Sequence, residues 1–277
     1  MGVVINTNMP SLAAQRNLNH AQSMLMNSFT RLSSGYRINS SKDDAAGMAI
    51  STGLTMNIRS YFVAERNAND AVSAAQIAEG AFTAISDIVG RMRELSVQSA
   101  NGSYSSTDRG YLATEFTSLQ SEIKRVMSTT KFAGTKLVSA ASTIVDFQVG
   151  IKNTVDDRIK LTFGGLKITT LLSVSTKIST TAANAQAAIG TVDTALDKIA
   201  TIRAKFGAIM NRLEMTSQNI QTERINVTAA NSRIRDVDVA EETSQLARQQ
   251  VLVQAGSAIL AQANQAPQLA LSLVRGQ

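Results

Sequence analysis

With 277 residues, 44% of them hydrophobic, the chain is long enough to bury a core, yet it holds only 4% aromatic residues, two prolines and no tryptophan. That balance suits close-packed helices with small side chains better than a globule. The lack of cysteine excludes disulfides and thiolate-held metals, and the net charge of +6 is spread along the chain among acids, without the basic block or aromatic platform of a nucleic-acid binder.

No apolar run approaches membrane-spanning length, and the N-terminus has no continuous apolar segment of the kind a cleaved secretory signal needs. Residues 3–9 read as a short extended lead-in through Val3, Val4 and Ile5. Met9-Pro10-Ser11 then offers a helix start. From there Leu18, Gln22, Leu25, Phe29 and Leu32 recur at steps of three and four, one face of a helix. Gly35 supplies a left-handed stop. Ser40 and Ser41 each have an acid three residues on, Asp43 and Asp44, the capping-box spacing that opens a second helix.

The second helix settles into a long register: Ala71, Ala74, Ala78, Ala81, Ile85, Ile88, Met92 and Leu95. The small residues at one end imply close helix approach, and the large ones a thicker core at the other. Ala100 to Ser103 ends it, and 103–110 reads as a polar loop. Leu112, Phe116, Leu119, Ile123 and Val126 then give a third helix, closed by Thr129 and Thr130. From Lys131 the period falls to two. Ile144 to Val149 and Ile159, Leu161, Phe163, punctuated by Gly150, Asn153, Asp156, Asp157, Gly164 and Gly165, predict one or two β-hairpins. Thr176–Thr181 is a polar linker.

The longest pattern follows, from Val192 to Val237. Val192, Ala195, Ile199, Ile202, Phe206, Ile209, Leu213, Ile220, Val227, Ala230, Ile234 and Val237 fall on one heptad stripe, interrupted only by Thr216 and Glu223. This is the period at which helices keep facing each other as they supercoil. A joint at Arg235 to Asp238 precedes a last helix, with Asp238 and Glu241 at capping-box spacing. That helix carries Val239, Leu246, Val253 and Leu260 at strict sevens and is expected to stop at Pro267, leaving Leu269, Leu271, Leu273 and Val274 as an apolar tail.

The expected fold is therefore mainly α: long antiparallel coiled-coil helices, a small β-hairpin region, and helices at both termini. The expected parts are an N-terminal helix over 1–42, central helices with the hairpins over 43–180, a long helix over 181–238 and a C-terminal helix over 239–277. Leu18, Leu25, Phe29 and Leu32 would pair with Val239, Leu246, Val253 and Leu260 at the ends. Ile85, Ile88 and Met92 would pair with Ile199, Phe206 and Leu213 in the centre. Two apolar ends on long helices suit heterologous contacts between copies, which generate open helical filaments.

No catalytic constellation is present. His20 is the only histidine, so an HExxH metal site is excluded. Asp43 and Asp44 suit a first helical turn better than paired acid–base work, and Asp156 and Asp157 suit a turn. The expectation is no enzyme activity, metal or cofactor.

Five stretches carry a resemblance: Leu32 to Gly47 (LSSGYRINSSKDDAAG), Arg93 to Gly102 (RELSVQSANG), Ser232 to Asp238 (SRIRDVD), Ile259 to Gln268 (ILAQANQAPQ) and Leu271 to Arg275 (LSLVR). Together they resemble the signatures of bacterial flagellins. The resemblance implies a short flagellin without large outer domains, self-assembling into the extracellular flagellar filament that drives swimming. In that family the ends line the filament core, here 1–42 with 239–277, and the middle forms the next shell. It implies export through the flagellar type III apparatus with an export chaperone, and filament cap and junction proteins as partners. It also carries over a Toll-like receptor 5 contact cluster to Arg91, Leu95 and Glu115, although Gly90 stands where recognised members usually have Gln and Leu95 lies on the core stripe. A hook–filament junction protein shares such ends, and a coiled-coil nucleic-acid scaffold is the alternative of another class.

Overall fold

The structure, a computed structural model of the chain, describes residues 7–165, 178 and 181–274, with side chains as far as Gln265 in the last helix. The lead-in at Val3 to Ile5, most of the Thr176–Thr181 linker and the apolar side chains of the tail lie outside the described residues. The elements run α1 (Met9–Ser34), α2 (Ala45–Ala100), α3 (Ser106–Thr129), β1 (Lys131–Phe132), β2 (Thr135–Lys136), β3 (Ser142–Gln148), β4 (Arg158–Gly164), α4 (Ala182–Arg235) and α5 (Val239–Val274). Helices dominate, as the periodicity predicts. The chain divides into two units: Met1–Met56 with Asn226–Gln277, and Asn57–Ile225.

In the first unit α1 pairs with α5. Asn8 caps α1 by accepting the Ser11 N–H at 3.1 Å, and Pro10 occupies the first turn, where its missing N–H has no intrahelical partner to lose. Gly35, at φ 73°, ends the helix and donates its N–H to the Arg31 carbonyl. The Ser40 capping-box reading needs correcting. The Asp43 carboxylate accepts from Ser40 N–H at 2.9 Å, Ser40 O–H at 3.1 Å and Asn39 N–H at 3.2 Å, but these bonds close a turn. The Asp43 N–H bonds to the Ser40 backbone carbonyl at 3.0 Å and not to its hydroxyl, so half of the box is missing, and α2 opens at Ala45, capped by Asp44 through the Gly47 N–H at 2.9 Å. Gly47 leaves room for this cap: a Cβ there would displace the Asp44 carboxylate and lie 2.7 Å from Ile38 Cδ1.

Pro267 does not end α5, which continues to Val274. A proline inside a helix strips the carbonyl four residues earlier of its donor, here Ala263. The Asn8 side chain replaces that donor: its Nδ2 reaches the Ala263 carbonyl at 2.7 Å. Next to it Ser11 Oγ donates to Asn264 Oδ1 at 2.7 Å.

The second unit holds the extended core. Along α2, Ala64, Ala68, Ala71, Ala74, Ala75 and Ala78 are buried, followed by Phe82, Ile85, Val89, Met92 and Leu95. Opposite them lie Val192, Ile199, Phe206, Leu213 and Ile220 of α4. Glu65–Arg224 (3.3 Å), Glu79–Arg203 (2.8 Å) and Arg93–Asp193 (2.6 Å) pair in descending order along α4, which fixes the two helices as antiparallel. Phe116 and Ile123 bring α3 to the same core. That helix starts earlier than the expected loop allows, since Ser105 and Asp108 form a full capping box.

Two antiparallel hairpins complete the unit. In β1–β2 the turn residues Ala133 and Gly134 both have positive φ, 46° and 83°, as a tight hairpin with right-handed strand twist requires. In β3–β4 the paired residues Thr143–Phe163, Val145–Leu161 and Phe147–Ile159 face inward, and Ile144 points out. Phe163 stacks at 5.7 Å on Phe206, which lies 5.7 Å from Phe82, so one aromatic cluster ties the hairpin to both long helices.

Candidate assembly surfaces and the charged joint

The α1–α5 pair shows what the terminal heptads do. Ala21 and Ser28 are buried, and Leu18, Leu25 and Leu32 on α1, with Leu246, Val253 and Leu260 on α5, are half-buried. The helices approach closely at Gly256, where an added Cβ would stand 3.3 Å from Leu18 Cδ1. Of the residues expected to join the two ends, Phe29 and Val239 stay exposed. They belong with Met9, Leu12, Met24, Met26, Val251, Leu252 and Ile259, which are also exposed. Each terminal helix thus has one apolar stripe against its partner and further apolar side chains spread over its exposed side.

Within the first unit, where α1 ends and α4 gives way to α5, residues of the recognised signatures build a joint. The Arg37 N–H donates to the Arg235 carbonyl at 2.7 Å, and the Val237 N–H to the Gly35 carbonyl at 3.0 Å. Tyr36 and Asp236 form an isolated antiparallel bridge. The Arg37 guanidinium caps the end of α4 through the Ile234 carbonyl at 2.6 Å and the Arg233 carbonyl at 3.3 Å, and Arg235 lies 4.2 Å over the Tyr36 ring. Ser51, fully buried, donates to Asn231 Oδ1 at 2.8 Å, and Asn231 donates in turn to Thr55 at 3.3 Å. At the head of α5, Asp238 accepts the Ala240 N–H at 2.9 Å and the Glu241 N–H at 3.3 Å.

In the centre, Ile85, Met92, Ile199, Phe206 and Leu213 are buried and Ile88 is half-buried. The three receptor-cluster residues are not equivalent. Arg91 and Glu115 are exposed and bonded to each other at 2.9 Å, with Glu94 also on Arg91 at 2.8 Å. Leu95 is fully buried. One residue that sequence reasoning missed is Arg109. It is buried, and its guanidinium donates to the Ser99, Asn101 (2.9 Å) and Tyr104 (3.0 Å) carbonyls, closing the end of α2. Nothing in its polar surroundings in the sequence signals that role; the only clue is its place one turn into α3.

The comparisons agree with this anatomy. The profile of the bacterial flagellin N-terminal helical region matches residues 5–143, and that of the C-terminal helical region matches 189–274. A flagellin of Halalkalibacterium halodurans is 39% identical over 274 residues, covering 99% of this chain and all of that one. A flagellar filament 33 kDa core protein of Treponema phagedenis is 38% identical over 288 residues, with 99% and 100% covered. Flagellin C of Vibrio cholerae is 34% identical at the same coverage, but across 376 aligned positions, so it carries insertions that this chain lacks. With its paired terminal helices, its signature-built joint and a middle reduced to two small hairpins, the chain belongs to the bacterial flagellin family as a short form without large outer domains.

Proposed function

We propose that the exposed apolar side chains of α1 and α5 are the surfaces through which this filament subunit polymerises. The observation that carries the reading is what the pairing leaves over: Leu18, Leu25, Leu32, Leu246, Val253 and Leu260 satisfy the pair, and Met26, Phe29, Val251 and Ile259 remain for neighbours. Residues 1–42 with 239–277 then line the filament core, and 43–238 form the next shell. The filament belongs to the flagellum; its subunit works outside the cell, reached through the flagellar export route with a chaperone holding the terminal segments. Cap and junction proteins meet the same ends. No enzymatic step is part of this role.

Receptor recognition at Arg91 and Glu115 is the weaker part of the reading, because Leu95 is covered by the core and the two charged residues already bond to each other. The test of the main reading is electron microscopy of heat-dissociated protein cooled with short filament seeds. Long uniform filaments are expected. Protein that stays monomeric in the presence of seeds would favour a junction role or a missing co-subunit.

A further inference from the structure

The joint contains a buried charge without a matching donor. Glu242, in the first turn of α5, is 5% exposed, and no described residue donates to its Oε1. Its Oε2 lies 3.7 Å from Arg31 Nη1, an ion pair too long for a hydrogen bond. The carboxylate borders a cleft of about 560 Å³ lined by Arg31, Arg37, Arg233, Asp236 and Glu241 among others. A buried carboxylate this poorly satisfied is costly to hold unless something completes it. No group of three His, Cys, Asp or Glu side chains suited to a metal ion occurs among the described residues.

The distribution of charge along the chain points to what completes it. The first acid is Asp43 and the last is Glu242, so both ends of the sequence carry cations without any acid. On the described parts of the terminal helices these are Arg31, already beside Glu242, and Arg16 and Arg248, both exposed and with no ion pair among the described residues. Arg16 lies fifteen positions before Arg31, about 22 Å along the helix, so it cannot reach Glu242 of its own chain. Arg248, six positions after Glu242 on the same helix, projects from a different face.

We propose that the joint cleft receives a guanidinium from the terminal helix of a second copy of this chain, with Arg16 the donor to Glu242. This rests on the self-assembly reading above. Each copy then offers an acid at its joint and a cation on its arm, a heterologous pairing that repeats along a polymer. The Arg31 side chain, one third exposed, swings aside to admit it. Polar contacts of this kind set register where apolar stripes alone would allow sliding.

The test is a double-mutant cycle on seeded assembly with Glu242→Gln, Arg16→Gln and the double variant, alongside Arg248→Gln. Each of Glu242→Gln and Arg16→Gln is expected to raise the critical concentration about tenfold, with the double variant no worse than either single one and Arg248→Gln near wild type. Thermal unfolding of the monomers, expected unchanged for exposed Arg16→Gln, separates a contact between copies from a folding defect. Additive losses, or Glu242→Gln assembling like wild type while the wild type forms filaments, would overturn the pairing alone. A wild type that forms no filaments would overturn both readings. If Glu242→Gln does not fold, Arg16→Gln decides: a critical concentration unchanged from wild type rejects the proposal.

Discussion

Arg109 is a cation that works without a carboxylate. Its three carbonyl partners at the end of α2 are acceptors a helix terminus leaves open, and one guanidinium in a fixed fork meets them together. Arg109→Met keeps most of the stem volume but strands those carbonyls, so a loss of about 2–4 kcal/mol is expected, read as a lower urea midpoint by circular dichroism. An unchanged midpoint would mean that water serves the carbonyls equally well. On the neighbouring turn, the Ser105 hydroxyl and then its N–H hold the Asp108 carboxyl below the usual carboxylate range. A folded value below the unfolded one means this cap contributes fully above the unfolded value, about 4. Its contribution fades as pH falls through the lowered folded value. Ser105→Ala should move the Asp108 midpoint back up toward the ordinary range in an NMR titration; a midpoint that does not move would rule out the cap as the cause.

At the scale of elements, the heptads of the terminal helices have separable duties. Replacing Leu246, Val253 and Leu260 by serine removes the stripe that joins α5 to α1 and leaves the Phe82–Phe206–Phe163 cluster untouched. The expected outcome is a variant whose central unit unfolds at the wild-type temperature but which forms no filaments. Normal polymerisation would refute the role of the terminal seam. Most helices were legible because their stripes keep one period over many turns, as from Ala71 to Leu95 and from Val192 to Ile220. What failed to show was governed by single groups. Asp44, by accepting the Gly47 N–H, caps α2 in place of Ser40, and Ser105 opened α3 inside an expected loop. The exposed apolar side chains of α1 and α5 were hidden for another reason: apolar residues beside a stripe read as extra width until the partner is seen to leave them uncovered. Nor does any spacing disclose that Glu242 is buried, since burial there depends on where the chain turns at Tyr36 and Asp236.

At the scale of the whole molecule, the two chain ends are held by side chains more than 250 positions apart. Asn8 both caps α1 and serves the carbonyl left open by Pro267. Asn8→Ala is expected to speed amide exchange at the start of α1 and around residue 263 of α5 together. In a Pro267→Ala background, where the helix regains its own donor, only the α1 effect should remain. If Asn8→Ala leaves α5 exchange unchanged in the native background, the bond to Ala263 has no energetic weight. The same bond makes wear at one terminus detectable at the other. Removal of the chain as far as Asn8 would leave the contact between Ser11 and Asn264 in place but take the donor from the Ala263 carbonyl, so a cut made in the first helix would be felt in the last.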